Sequence, residues 1–255
     1  MKNSTSKSTS WSGVADWYDS HVETEPDSYH KAVILPNLTR LMGLHKGVPV
    51  LDLACGQGFF AREWARLGGA VTAVDISKEL IERAEKYGGE ISYHVASADS
   101  VPFVKGGSIH RISLVLAIQN IENVKDVFKE CARVLTPDGK LFMVLNHPAF
   151  RVPKASGWDF DENMGIQYRR IEKYMSEARM LIAMHPGKDK TETTVSFHRP
   201  LQWYMKALRS AGLAITGMEE WISHKESTSG PRMDAENTAR KEIPLFLMLE
   251  VMKRP

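Results

Sequence analysis

The run Gly56-Gln57-Gly58-Phe59-Phe60-Ala61 is the part of this sequence best suited to holding a ligand. Glycines let a backbone come close to a bound group, and the first turn of a helix offers unpaired N–H donors. Asp75 follows about 20 residues later, where a carboxylate can accept from both hydroxyls of a ribose. Asp52 stands just ahead of the turn, and Asp99 closes a later apolar segment. Together they point to a nucleoside-bearing cofactor. For proton transfer, His147 is the leading candidate base, because it lies at a strand's C-terminal edge and imidazole titrates near neutrality. The same histidine can also simply pack or face solvent. His30 and His198 come next, although His198 also just precedes the Arg199-Pro200 start of a helix.

These residues need a scaffold, and the apolar pattern supplies one. Val48, Val50, Leu51 and Leu53 read as a buried parallel strand over 48–54, feeding the glycine turn and a helix over 58–67. Alternation continues with strands at 70–75 and 91–96, a helix at 77–87, a strand at 111–117, a helix at 123–135 and a strand at 140–146. Ser77 and Asn123 are the expected helix caps, and Pro137-Asp138-Gly139 the expected turn into the fifth strand. Parallel strands with helical crossovers imply a doubly wound sheet, whose ligands gather at the strands' C-terminal ends.

A G-x-G-x-x-A turn alone also fits nicotinamide-cofactor binders. The fuller set, Asp52-Leu53-Ala54-Cys55-Gly56-Gln57-Gly58, Ala73-Val74-Asp75-Ile76-Ser77, Ala96-Ser97-Ala98-Asp99-Ser100-Val101-Pro102-Phe103 and Leu135-Thr136-Pro137-Asp138-Gly139-Lys140-Leu141, resembles the class I S-adenosylmethionine (SAM)-dependent methyltransferases, particularly their small-molecule and quinone-biosynthesis branch. It covers roughly residues 45 to 146. The resemblance implies a seven-stranded, mostly parallel Rossmann-like α/β sheet with an antiparallel final strand. It implies SAM as cofactor and S-adenosyl-L-homocysteine as product.

By that resemblance, the backbone at Ala54, Gly56 and Gly58 approaches the methionine and ribose portion, and Asp52 orients the amino group. Asp75 holds the ribose, Ile76 packs on the adenine, and Ala98 flanks the ring. Asp99 accepts from the adenine amino group, unless it only caps its loop. Ala117 lines the methionine arm. Tyr18 faces the methionine carboxylate or packs on the sheet with Trp17. Two positions depart from the family pattern. Ala54 replaces a common glycine, tolerable if its φ stays below zero, and His110 replaces an aspartate, read as a surface change.

Outside the core, residues 1–12 are small and polar and read as a disordered tail ahead of a single domain over 13–255. Residues 13–44 read as an N-terminal helical lid, capped at Asp27, with an apolar face from Tyr29 to Met42 that Pro36 kinks or breaks. Residues 147–199 read as a cap inserted after the fifth strand, with a hairpin of Met180–Met184 and Thr193–Phe197 turning at 186–190. A cap excludes water and shapes substrate choice. Candidate substrate contacts are Tyr29, His30, Gln119, Asn146, Tyr168 and His198. Gln119, after the fourth strand, binds substrate or caps the next helix. Tyr168-Arg169-Arg170 recognises an anionic or aromatic group or stays a solvated surface; strand alternation lets at most one of the two arginines face inward. Asn146-His147-Pro148 is a poor match to the N-P-P motif of amino methylators, which belongs after the fourth strand. A helix opens at Pro200, a sixth strand spans 214–221, a polar excursion with a short helix follows, and a last strand runs 244–252.

The chain has 255 residues, 43% hydrophobic and 25% charged, with 33 basic and 31 acidic side chains for a net charge of +2. That balance disfavours a nucleic-acid backbone as partner. Two cysteines without metal-ligand spacing suit reduced thiols and a cytoplasmic setting, and predict no metal site. Neither a signal peptide nor a membrane span is legible. The expected activity is methyl transfer to a small-molecule acceptor. The rival readings are a non-catalytic SAM-binding regulatory partner, an RNA or protein methyltransferase, and a nicotinamide-dependent dehydrogenase that fits Asp99 poorly. The acceptor atom and oligomeric state stay open.

Overall fold

The computed structural model describes residues 25, 27–185 and 189–254, without the side chains of 183–185 and 189–192. Tyr18, Trp17, the 1–12 tail and the Pro186–Lys188 turn lie outside them. The chain runs through a π-helical turn at His30–Ile34 and α1 (Leu35–Met42), then β1 (Pro49–Leu53), α2 (Phe59–Arg66), β2 (Ala70–Asp75), α3 (Lys78–Lys86), β3 (Ile91–Val95) and β4 (Ile109–Val115). It continues with α4 (Val124–Val134), β5 (Leu135–Asn146), β6 (Ser156–Asp161), β7 (Ile166–Ile171), β8 (Ala178–His185), β9 (Asp189–His198), α5 (Leu201–Ser210), β10 (Leu213–Trp221), α6 (Met233–Glu242) and β11 (Phe246–Lys253).

Seven strands form one sheet in the order β10-β11-β5-β4-β1-β2-β3. Its inner pairs are parallel, whereas β11 runs antiparallel to both β5 and β10, as expected of the final strand. Alternation along each strand sorts the side chains between two cores. Leu51, Leu53, Leu141, Met143 and Leu145 face a cluster completed by Phe128 of α4 and Tyr204 of α5. Val50, Phe142 and Val144 face the other side, against Leu38 and Met42 of α1 and Trp64 of α2. Covering both faces accounts for the near-continuous apolar strands. Truncating any of these leucines to alanine should cost about 2–5 kcal/mol.

Local chemistry departs from sequence expectation at several points. Asp27 does not cap a helix; it pairs with His224 and Lys225. Pro36 cannot donate to the carbonyl four residues back, and the chain makes a π turn just before it, with the Leu35 amide reaching His30 O. Asn37 Nδ2 then donates to Val33 O at 2.9 Å. Ser77 caps α3 as expected, accepting from the Leu80 amide at 3.3 Å. Asn123 occupies the cap position of α4 without a side-chain cap bond. Pro137-Asp138-Gly139 is a bulge inside β5 rather than a turn before it: Ile109 pairs with Leu135, and Arg111 already with Lys140. A Cβ on Gly139 would stand 2.8 Å from Ile109 O, so the bulge needs glycine there. His110 is half-buried instead of lying on the surface.

The segment after β5 contains two hairpins, β6–β7 and β8–β9, where the sequence suggested one. Asp189 and Lys190, expected in a turn, already belong to β9. The missed β6–β7 hairpin has a local cause: Asp161 Oδ1 accepts from the Asn163 and Met164 amides, and Gly165 takes φ +65°. The Asp-x-Asn-x-Gly pattern was the available signal.

Candidate functional site

β1 delivers the chain into a turn in which Ala54, Gly56 and Gly58 all adopt positive φ, at +53°, +59° and +84°. Three left-handed residues in five reverse the backbone, so that α2 starts directly on Gly58. The Ala54 value overturns the expectation of negative φ, and an alanine here carries about 1–2 kcal/mol of strain. Gly58 is required for packing, because a Cβ there would meet Tyr93 Oη at 2.5 Å. Leu116, just past β4, is likewise strained at φ +52°. Backbone strain of this kind gathers at functional edges.

Asp75 ends β2 with only 7% of its surface exposed. Its Oδ2 accepts from the Gly56 amide at 2.9 Å and its Oδ1 from the Ser77 amide at 2.8 Å. Burial raises its pKa while these amide bonds lower it. Each oxygen keeps a further lone pair. Beneath the turn, Trp64 Nε1 donates to Ser113 Oγ at 3.0 Å, and Ser113 Oγ donates to Asp52 Oδ1 at 2.6 Å. Asp52 Oδ2 is buried with no hydrogen-bond partner, and burial raises the Asp52 pKa to about 7.

At the next strand ends, the Ala96 amide bonds Asp75 O, joining β2 to the segment that carries buried Ala98 and half-buried Asp99. Ile76 keeps 53% of its surface exposed at this edge. Ala117 is half-buried behind Leu116. Cys55 Sγ contacts Gly56 O at 3.6 Å, and burial pushes its pKa well up. Burial also pushes Cys131 up to about 12, away from the turn within α4.

A small cavity opens past the ends of β4 and β5 and brings together Gln119, Asn146 and His198, along with Arg151, Arg199 and Tyr204. Gln119 Nε2 donates to Leu116 O at 2.7 Å, leaving its Oε1 buried without a partner. His198 is buried, and its Nε2 bonds Tyr174 O at 2.7 Å. A carbonyl can only accept, so the hydrogen sits on Nε2 and Nδ1 keeps its lone pair.

His147 is placed differently. Its Nε2 meets Glu220 Oε1 at 2.7 Å, and its Nδ1 accepts from the Ala149 amide at 3.2 Å. Both ring nitrogens are engaged, and burial outweighs Glu220 in lowering its pKa. The arrangement describes a neutral strut between β5 and β10 and leaves no nitrogen free to act as a base. Tyr168 points outward with Arg170, leaving Arg169 as the inward arginine of β7. Tyr29 lines a second cavity with Arg151 and Arg169. His30 packs on Phe59 and Phe60 of α2, beside the turn. Sequence reading missed Arg151, Arg199 and Tyr204. The signal for Arg199 was a cation directly before the helix-opening proline, next to two aromatics.

Residues 51–143 match the methyltransferase domain family model. A ubiquinone biosynthesis O-methyltransferase of Xanthomonas oryzae pv. oryzae is 30% identical over 131 residues, covering 50% of this chain and 54% of that protein. Its counterpart in Xanthomonas axonopodis pv. citri is 32% identical over 101 residues, covering 38% and 42%. The chain thus spans about half the length of these curated relatives. A SAM-dependent methyltransferase structure from Mesorhizobium loti superposes with TM-score 0.70 at 25% identity, covering 89% of this chain and 100% of that one. One from Listeria monocytogenes, described as a SAM-dependent methyltransferase, gives TM-score 0.66 at 19% identity over 86% and 97%. Residues 51–143 thus match a methyltransferase domain, and the chain shares the seven-stranded fold of these SAM-dependent methyltransferase structures.

Proposed function

We propose that this chain transfers the sulfonium methyl group of SAM to a nucleophilic atom of a small-molecule acceptor. The observation that carries this reading is the buried, unpartnered Oδ2 of Asp52 beneath a left-handed turn that Asp75 clasps. A buried carboxyl of that kind calls for a donor or a cation, and the cofactor's ammonium group supplies one. Asp75 has lone pairs left for the ribose hydroxyls, Asp99 can accept from the adenine amino group, and half-exposed Ile76 offers the ring an apolar face. Gly56, Gly58 and Ala54 bring the backbone close, and Ala117 lines the methionine arm.

When bound, the cofactor supplies an electrophilic methyl group with its own leaving group. The chain's residues then have two tasks. Alignment of the acceptor is worth ~7–11 kcal/mol of the barrier. Gln119 Oε1 and Asn146 can orient the nucleophile, and His198 Nδ1 can take its proton, a contribution of about 10²–10⁴ in rate. His147, sealed by Glu220 and Ala149, holds the strand end that presents Asn146. The names of the Xanthomonas relatives favour an oxygen nucleophile.

We also read residues 13–255 as one domain, with 147–199 as a cap over the acceptor; of the 13–44 segment expected as a lid, α1 instead packs into the core through Leu38 and Met42. Among the described residues no helix is long and apolar enough to cross a membrane. Two free thiols and the near-balanced charge support a cytoplasmic protein without a nucleic-acid partner. Calorimetric titration should show micromolar or tighter binding of SAM and S-adenosylhomocysteine, weakened about 10–100-fold or more in Asp75→Ala. Unaltered binding in that variant would refute the assignment.

A further inference from the structure

Two adjoining cavities at the end of β5 share Arg151. Arg199 also lines the first, Arg169 and Arg240 line the second, and among the described residues no Asp or Glu lines either. Three of these four guanidinium groups, Arg151, Arg169 and Arg199, have no carboxylate partner among the described residues, whereas Arg240 lies 3.9 Å from Glu236. Each cavity also holds a buried donor without a hydrogen-bond partner, Arg199 Nη1 in the first and Arg240 Nε in the second.

Arg151, Arg169 and Arg199 are placed without the help of carboxylates. Arg169 Nε donates to Phe150 O at 2.8 Å and Nη2 to Ser156 Oγ at 2.9 Å, with the guanidinium 5.2 Å from the Trp158 ring. Arg199, 5% exposed, donates to the Ile121 and Glu122 carbonyls and lies 4.8 Å from both the Phe197 and Trp203 rings. Arg151 has no side-chain hydrogen bond or ion pair among the described residues. It is an exposed residue, and the atoms packed around it still pull its pKa down through desolvation. Arg169 is pulled down by desolvation and then by Arg151's charge. Like charges held together in a partly dry cavity are stabilised by an anion, and a guanidinium fork matches carboxylate or phosphate oxygens. Trp158 and Tyr29 line the same cavity, and such faces favour a flat ring.

We infer that the methyl acceptor is an aromatic molecule bearing a carboxylate or phosphate, which docks against Arg151 and Arg169 while its nucleophilic end reaches Gln119 and His198. This rests on the methyl-transfer reading and names the acceptor class of the same site.

The test titrates the full chain, saturated with S-adenosylhomocysteine, with benzoate, phenyl phosphate, uncharged benzamide and inorganic phosphate in chloride-free buffer. Benzoate or phenyl phosphate should bind at least tenfold more tightly than benzamide, and the preference between them identifies the anionic group. Arg151→Met should weaken that binding at least tenfold while the S-adenosylhomocysteine affinity and Tm hold. Arg169→Lys, which keeps the charge but loses the fork, should weaken it less. Equal binding of benzamide, or an unchanged Arg151→Met, would overturn the inference, and inorganic phosphate binding as tightly as phenyl phosphate would overturn its aromatic part. If S-adenosylhomocysteine itself fails to bind, the methyl-transfer reading falls, and the anion titration still reads out separately.

Discussion

Asp75 Oδ2 accepts the Gly56 amide at 2.9 Å, so the carboxylate ending β2 closes the glycine turn that ends β1. The ribose-binding candidate is therefore also the clasp of the turn. Asp75→Ala should lose both roles. Charge-assisted hydrogen bonds contribute about 1.5–3 kcal/mol each, so S-adenosylhomocysteine affinity should fall about 10–100-fold or more, with a lower Tm. Asp75→Asn keeps one acceptor oxygen and should fall in between by calorimetry. Equal affinities for the two variants would show that the clasp is not what matters.

Asp52 sets a pH dependence with a definite sign. Its folded-state pKa of about 7 lies above the ordinary 3.8. The folded chain therefore keeps a proton that the unfolded chain releases, and this contribution, full below 3.8, is lost as pH rises through about 7. Urea titrations of the cofactor-free protein should show a contribution of up to about 1.4 kcal/mol per pH unit in that window, removed in Asp52→Asn, which leaves the part due to the raised pKa of Asp75. An ammonium group beside Asp52 favours the ionised form. Cofactor binding below pH 7 should thus release a proton, measurable by calorimetry in buffers of different ionisation enthalpy.

Ala54 offers a gain of stability. Glycine at φ +53° avoids the left-handed penalty and gives back part of that in chain entropy. Ala54→Gly should be stabilised by about 1 kcal/mol at most, raising Tm by about 2–4 °C in a chain of this size. Ala54→Val should be destabilised, and a Tm at or above wild type would contradict the strained turn.

His147 and His198 should separate kinetically. His147→Asn should lower stability by about 1–3 kcal/mol through the orphaned Glu220 and Ala149 partners, with kcat reduced only a few-fold. His198→Ala should lower kcat by about 10²–10⁴ with little change in cofactor affinity. The reverse pattern in single-turnover assays would return the base to His147.

Ser113 links two buried groups, so Ser113→Ala should strand Trp64 Nε1 and Asp52 Oδ1 together. The expected loss is about 2–4 kcal/mol, read by urea unfolding. A loss below 0.5 kcal/mol would show that Trp64 and Asp52 find other partners.

The alternating strands and helices, the glycine turn and the positions of Asp52, Asp75 and Asp99 were legible in the sequence, because periodicity and short-range spacing are local properties of a chain. The antiparallel last strand followed from the resemblance and agrees with the sheet. Only the tertiary structure decided how distant side chains pair. It engaged both nitrogens of His147 with Glu220 and Ala149, left Nδ1 of His198 free by tying Nε2 to Tyr174, and turned Arg169 inward and Tyr168 out. It also drove Ala54 to positive φ and gathered Arg151, Arg199 and Arg240 around one pair of cavities. Apart from the Ala149 contact, the hydrogen bonds that fix these side chains join residues 13 to 78 positions apart, and no local pattern encodes such contacts.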